Sequence, residues 1–365
     1  MRETRLEIDR KKILHNLEVF RSIIHPDTQI LVNLKGNAYG LGAVEIGKLL
    51  EQEQISYFSV AYINEGILLR KNGIQTHLIV FNPSFEHFQP LVEYKLEPEV
   101  SSIAYLQKLI NFLKANNIRY FPVHLKLDTG MHRAGIMPHE LESLIDLLKR
   151  QNQVKIQSVF SHLAASEDPG EDDFSHSQIR LFEQMSNQLS QSLPYTFFRH
   201  LLNTAGVFRF PQAQYDMIRP GLGIFGYNLI RQSENPLLPV AQWSTRINQI
   251  KTLSKGESVG YNCNYTAPAD NTKIALLPVG YADGLNRLLG QGKYQVLCKS
   301  KRAPIIGNIS MDTCSIDVTG TDCQAGDQVI LFNRKQDVYR MASLLNTIAY
   351  EIITGITQRV IRKIQ

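Results

Sequence analysis

Lys35 is the residue in this sequence best placed to do chemistry. It ends an apolar run and opens a glycine-rich turn, with residues 31–42 reading LVNLKGNAYGLG. Tyr39 follows in the same turn, so an amine and a phenol share one stretch of pliable backbone. The pairing suits a lysine that forms a Schiff base with a carbonyl cofactor and a hydroxyl that binds that cofactor's phosphate. Taken alone, Lys35 reads equally as a solvated lysine at a strand end. Residues 42–48 also match the start of a phosphate-binding P-loop, but Leu49 stands where serine or threonine would hold magnesium. Val44, Ile46, Leu49 and Leu50 instead mark the buried face of an amphipathic helix.

The elements around Lys35 decide between these readings. Short apolar runs alternate with helical patterns, and strands are expected at residues 30–34, 57–61, 77–81, 96–100, 121–127, 154–160, 197–202 and 216–219. Eight such units before residue 230 predict an α/β protein, a (β/α)8 TIM barrel. Active sites of that fold lie at the carboxyl ends of the strands, where this sequence puts its polar residues. Lys35 ends the first strand, Lys126 and Asp128 the fifth, His162 the sixth, Asn203 and Thr204 the seventh, and Arg219 the eighth. Small-residue turns follow the last two, Asn203-Thr-Ala-Gly206 and Arg219-Pro-Gly-Leu-Gly223, whose backbone N–H groups can approach an anion. Together with Lys35 they point to a phosphorylated aldehyde cofactor.

Ahead of the barrel, Asp9 is positioned to cap a helix over residues 11–23, preceded by a strand stub. Beyond Pro236 the pattern changes to short alternating runs separated by Gly, Asn and Asp: 242–251, 273–277, 294–297, 303–306, 315–318 and 328–331. The organisation predicted is a barrel over residues 1–232, then a mostly β C-terminal domain over 233–365 that closes with a helix near 341–345 and an extended tail.

At 365 residues with 43% hydrophobic content, the chain has material for two packed cores. Its formal charge of +5 is scattered, and the short basic runs near Lys11, Lys301 and Arg362 read as solvated faces rather than nucleic-acid patches. Cys263, Cys298, Cys314 and Cys323 show no metal-ligand spacing and are expected as free thiols. The sequence carries no apolar run long enough for a signal or membrane helix, so a cytoplasmic protein is expected, bound neither to nucleic acid nor to membrane.

With these residues in place, the sequence resembles bacterial alanine racemases along essentially its whole length. LKGNAYGLG is similar to the family's pyridoxal-phosphate lysine motif, with Gly36 where alanine is commoner. Lys126-Leu-Asp-Thr-Gly-Met-His-Arg133-Ala-Gly135 resembles its KxDTGMxRxG motif. Ser161-His162-Leu-Ala resembles the active-site histidine segment, and Met217-Ile-Arg219-Pro-Gly-Leu-Gly223 the segment whose arginine faces the pyridine nitrogen. In the C-terminal part, Val259-Gly-Tyr261 resembles the catalytic-tyrosine segment, Gly280-Tyr281-Ala-Asp-Gly284 the substrate gate, Met311-Asp312 the substrate-contacting pair, and Ala349-Tyr350-Glu351 the late tyrosine. Thr204 replaces a typical serine, Asn308-Ile-Ser310 replaces a more basic, cysteine-bearing segment, and the tail around Gln358 lacks the usual proline.

The resemblance implies a homodimer that binds pyridoxal 5'-phosphate and interconverts L-alanine and D-alanine, supplying D-alanine for peptidoglycan. Lys35 and the partner's Tyr261 would be the two bases. Tyr39, His162, Asn203, Thr204, Arg219, Gly221, Leu222 and Tyr350 would hold the cofactor, and Arg133, Tyr281, Met311 and Asp312 the substrate. Lys126, whose equivalent is often carbamylated, would orient Arg133. An arginine at the pyridine nitrogen keeps its own proton and so leaves that nitrogen unprotonated, which favours simple proton abstraction over transamination or decarboxylation. Three rival readings can be weighed on these residues. A cofactor-homeostasis barrel ends without the roughly 130 residues that follow here. A decarboxylase of the same two-domain class has Arg219 and the Tyr261 segment against it, whereas a racemase acting on serine or a basic amino acid would use the same machinery.

Overall fold

The computed structural model describes residues 3–228 and 236–365, so the expected domain boundary at 232/233 lies outside the described residues. The chain begins with a short strand, β1 (Arg5–Ile8), and a helix over Arg10–Ile23. Asp9 caps that helix, its Oδ1 accepting from the N–H groups of Lys11 and Lys12 at 2.9 and 3.2 Å. Leu17, Ile13 and Phe20 then recur at helical spacing and are buried.

Eight parallel strands form a closed barrel: β2 (Gln29–Asn33), β3 (Tyr57–Val60), β4 (His77–Val80), β5 (Glu97–Val100), β6 (Phe121–Lys126), β7 (Val154–Phe160), β8 (Phe198–Asn203) and β9 (Met217–Arg219). Each lies within two residues of its expected place. β9 closes the barrel on β2, pairing Met217 with Gln29 and Ile218 with Ile30. Tyr57–Val60 is buried throughout, as a strand covered on one face by helices and on the other by the barrel interior must be. Successive residues of a strand alternate in direction, so one set of side chains packs under the outer helices and the other fills the barrel. Here the interior set is markedly polar. Glu97 and Glu99 on β5, His124 and Lys126 on β6, Ser158 on β7, His200 on β8 and Arg219 on β9 are all buried.

The remaining strands are β10 (Ala241–Arg246), β11 (Gln249–Leu253), β12 (Thr272–Leu277), β13 (Gln295–Cys298), β14 (Lys301–Ile306), β15 (Cys314–Asp317), β16 (Gln328–Phe332) and β17 (Ile361–Ile364). They join β1 in a nine-stranded sheet of order β11-β12-β15-β14-β13-β16-β10-β1-β17. The run expected as one element over 242–251 is thus two strands, β10 and β11. The expected helix near 341–345 belongs to a longer one, Lys335–Leu344, and Ala349–Thr354 adds a second.

Three expectations need correction. The expected barrel segment 1–232 takes in β1, yet β1 lies between β10 and β17, with Leu6 opposite Trp243 on one side and Arg362 on the other. Its partners are too distant in sequence for any local pattern to announce them. Arg362 does not belong to a solvated face: its guanidinium turns inward and donates to the carbonyls of Gly40 (2.9 Å), Ile356 (2.6 Å), Val360 (2.7 Å) and Thr357, tying the tail to the Lys35 turn. Cys263 and Cys314 are free, but Cys298 and Cys323 form a disulfide with Cα atoms 6.8 Å apart, because the end of β13 meets the turn that follows β15. Among the described residues no helix is long and apolar enough to cross a membrane.

Leu6 is fully buried in the sheet that binds the two ends of the chain together. Leu6→Ala should lower stability by about 2–5 kcal/mol in urea denaturation. A loss below about 0.5 kcal/mol, the range of an exposed site, would show that β1 is not an integral strand of that sheet.

Candidate active site

Lys35 stands at the barrel mouth, one residue beyond Leu34 at the carboxyl end of β2. The turn it opens is left-handed over four successive residues, with φ of 62°, 57°, 52° and 55° at Gly36, Asn37, Ala38 and Tyr39. Three of these carry a Cβ, and each costs roughly 1–2 kcal/mol in that conformation. Specific bonds hold the turn. Glu65 Oε1 accepts from Gly36 N–H at 2.7 Å, Leu34 O from Ala38 N–H at 2.8 Å, and the Asn37 side chain from Ala43 N–H at 2.9 Å. The effect is to keep Lys35 at the mouth while folding Tyr39 back beneath it. Burial, with help from Arg133 and Lys126, lowers the Lys35 amine below the ordinary lysine range, although Glu65 and Glu99 pull the other way.

Arg219 forms the floor and is only 4% exposed. It donates to His200 Nδ1 (2.8 Å), to the carbonyls of Ser161 (2.6 Å) and Leu201 (2.9 Å), and to His162 Nδ1 (3.3 Å). Burial brings its pKa down to about 9, so it stays protonated at neutral pH. An arginine only donates, and this sets the sense of a relay through the barrel. His200 accepts at Nδ1, so its Nε2–H donates to Ser158 Oγ (2.7 Å), whose hydroxyl donates to His124 Nδ1 (2.6 Å). His124 Nε2–H then donates to Glu97 Oε2 at 2.8 Å, and His77 Nδ1 donates to the other carboxylate oxygen at 2.6 Å. Burial alone would raise Glu97, but the bonds from His124 and His77 hold it at about 2. His162 and His200 are both pushed well below the usual histidine value by burial and by Arg219, and so are neutral.

On the opposite wall, Lys126 Nζ lies 3.2 and 3.4 Å from the two carboxylate oxygens of Glu99. Burial pushes Glu99 up and Lys126 down, while each favours the charged form of the other. Phe160 provides an aromatic plate between the cations: Lys126 Nζ is 5.7 Å and Arg219 Cζ 5.4 Å from its ring centre, and His200 stacks on it at 4.8 Å. Arg133 and Met131 reach the same cavity from the loop after β6. Asp128 Oδ1 shapes that loop by accepting from Gly130 N–H (3.0 Å) and His132 N–H (3.1 Å). Gly135 permits the close return, since a Cβ there would lie 2.6 Å from the backbone nitrogen of Asp128.

The fourth side can hold a phosphate. Thr204 Oγ1 accepts from the N–H groups of Gly221 (3.1 Å) and Gly223 (3.3 Å). Asn203 caps the turn that follows β8, accepting from Gly206 N–H at 2.9 Å. Tyr39 is buried, its ring 5.8 Å from Tyr350 and 5.7 Å from Phe225, and a Cβ on Gly221 would lie 2.6 Å from its hydroxyl. The cavity between these walls has a volume of about 630 Å³ and is lined by Lys35, Tyr39, Lys126, Arg133, His162, Asn203, Thr204, Arg219, Gly221 and Tyr350. An amine, a cation at the far wall and a cluster of hydroxyl and amide groups are the donor set that a pyridine aldehyde phosphate requires. Leu222 is buried in the turn after β9, beside Gly221.

Within one chain the structure does not bring every expected residue to Lys35. Tyr261 (72% exposed), Tyr281 and Met311 stand out from the C-terminal sheet, and none of them lines the cavity. Asp312 is engaged instead by Arg359 at 2.6 Å. Tyr261 borders a second cavity of about 520 Å³ on that sheet, and Asn308 Nδ2 donates to its carbonyl at 3.0 Å.

Sequence reasoning missed Glu97, Glu99, His124, Ser158, Phe160 and His200. A signal was present in Glu97-Pro-Glu99 on one barrel strand and His124-Leu-Lys126 on the next. Polar residues two apart on a strand share a face, and in a barrel strand that face is the interior.

Fold and site together define a two-domain barrel enzyme that uses pyridoxal phosphate. The family model for the alanine racemase N-terminal domain matches residues 8–229, and that for the C-terminal domain residues 240–364. Alanine racemase 1 of Clostridium acetobutylicum is 33% identical over 367 residues, covering 98% of this chain and 94% of its own. The alanine racemase structure from Clostridium difficile 630 superposes with a TM-score of 0.94 at 29% identity, over 100% of this chain and 96% of its own. That of alanine racemase from Bartonella henselae, with covalently bound pyridoxal phosphate, has a TM-score of 0.88 at 27% identity over the whole of both chains. This chain belongs to the alanine racemase family.

Because the Tyr39 hydroxyl fills the space where a Gly221 side chain would be, Gly221→Ala should displace it and weaken binding of pyridoxal phosphate. The expected loss is about tenfold, ~1.4 kcal/mol, read by titrating cofactor-free protein. Unchanged affinity would show that this wall does not contact the cofactor.

Proposed function

We propose that this protein interconverts L-alanine and D-alanine, with pyridoxal phosphate carried on Lys35, and so supplies D-alanine for peptidoglycan. The observation that carries this reading is the pairing of Lys35 with a buried, protonated Arg219 across one cavity. The cofactor, when bound, supplies an electron-withdrawing ring that acidifies the substrate α-C–H. The chain's own groups do the rest. Tyr39, Thr204, Asn203, Tyr350 and the backbone at Gly221 and Leu222 hold the phosphate, and Arg219 faces the ring nitrogen without giving it a proton. Arg133 takes the substrate carboxylate with its planar fork. Lys35, whose amine is more readily neutral than a free lysine, removes or returns the α-proton on one face.

Inverting a carbon needs a second base on the other face, and the partner subunit's Tyr261 fills that role in a homodimer. Supporting this is the exposure of Tyr261, Tyr281 and Met311, three large side chains left uncovered in the loops that join strands of the C-terminal sheet. His162, neutral and bonded to Arg219, would connect that cation to the phenol and favour its ionised form. The partner's Tyr281 and the partner's Met311, with Tyr350, would crowd the place of the substrate side chain, leaving room for a methyl group.

Purified protein given either enantiomer should form the other, and Lys35→Ala should abolish both reactions. Serine, lysine or arginine turned over with a higher kcat/KM than alanine would overturn the substrate. Tyr261→Ala should depress solvent-deuterium exchange at the α-carbon of L-alanine far more than that of D-alanine, by about 100-fold or more for a lost general base. Equal losses on both enantiomers would refute the two-base assignment. Light scattering during turnover should show a dimer, and an active monomer would contradict the shared site.

A further inference from the structure

We propose that Glu99 supplies, from within the chain, the negative charge that balances Lys126 beside Arg133, so that Lys126 works unmodified and Glu99 is a positioning residue for the arginine that meets the substrate carboxylate. Its substrate side rests on the function proposed above, but its chemical side does not.

Four cationic side chains, Lys35, Lys126, Arg133 and Arg219, line one cavity. Two of them would repel strongly in so enclosed a space unless an anion lay between. Glu99 is that anion. It is 2% exposed, it reaches Lys126 with both oxygens at 3.2 and 3.4 Å, and Arg133 and Arg219 act on its carboxyl as well. Its place is fixed by β5 pairing with β6, where Glu99 lies opposite His124, two residues before Lys126. Whether the shared proton sits on nitrogen or on oxygen, the Lys126–Glu99 pair is neutral overall. Arg133 then keeps its full positive charge for an incoming carboxylate.

The same geometry disfavours the modification implied by the family resemblance. A lysine carbamate forms when the neutral amine's lone pair attacks the carbon of carbon dioxide, making an N–C bond and releasing one proton to water. At Lys126 that lone pair is engaged by the proton shared with Glu99. The product would place a second anion directly against the first, buried, where like charges are most costly. A carboxylate already in the chain at this point performs the charge balance that a carbamate would otherwise provide.

The test uses the holoenzyme equilibrated with ¹³C-bicarbonate and observed by carbon NMR. The wild-type protein should show no carbamate resonance. A resonance that disappears in Lys126→Arg would overturn the proposal, and this readout is independent of any racemase activity. Glu99→Gln should raise KM for alanine by about tenfold or more with a smaller change in kcat, and Glu99→Asp should recover most of the loss. Bicarbonate should lower KM for Glu99→Gln, whose Lys126 is now free to take up carbon dioxide, and leave the wild type unaffected. A wild-type KM that falls with bicarbonate would also overturn it. Absence of alanine turnover alongside a clean spectrum would refute the proposed function and leave the charge assignment of Lys126 standing.

Discussion

A guanidinium buried at the centre of a protein is tolerable only when its donors are met, and meeting those of Arg219 organises much of the barrel interior. Two carbonyls and two histidine nitrogens accept from it. The demand propagates, because each histidine must then carry its proton on the other nitrogen and find an acceptor for it. From His200 the chain of obligations runs through Ser158 and His124 and ends at Glu97, a carboxylate that accepts on both oxygens and donates nothing. Glu97 is therefore the terminus that makes every proton position above it unambiguous. The inner end of β5 thereby helps determine the protonation of Arg219 and the histidines bonded to it.

The mouth poses the converse problem. Binding a phosphate, a phenolic oxygen and a substrate carboxylate calls for positive charge, and that charge has to be stored before any of them arrives. The structure spreads it over separate walls, with Phe160 placed against both Lys126 and Arg219 and Glu99 paired with Lys126. At the side proposed for the phosphate the polar groups are backbone N–H groups and hydroxyls rather than further cations, with the N–H groups of Gly221 and Gly223 meeting Thr204 Oγ1. Such donors bind an anion with little repulsion when it is absent.

The eight barrel strands and the residues at their ends were legible in the sequence because both depend on local signals: apolar runs, turn glycines and polar residues at run ends. Lys35, Arg219, Tyr39 and Thr204 fall where that reading put them. What it missed depends on pairing between strands. Glu97 and Glu99 gain their meaning only once β5 lies beside β6, and β1 only once residues more than two hundred positions away fold against it. The disulfide between Cys298 and Cys323 has the same origin. Tyr261 was placed on the partner subunit only through the family resemblance, and one chain by itself leaves it far out in solvent.

The position of β1 bears on how the protein is made. A ribosome delivers residues 29–219 well before residue 241, and the barrel they form can close on itself, whereas β1 emerges ahead of them and must wait for β10 on one edge and β17 on the other. Throughout that interval its unpaired N–H and C=O groups, and the fully buried Leu6 and Ile8 beside them, are open to the wrong partner. A chain halted at about residue 340 would thus hold a finished barrel and an unfinished sheet edge. Surveillance by chaperones and proteases would be expected to act on that edge rather than on the catalytic domain.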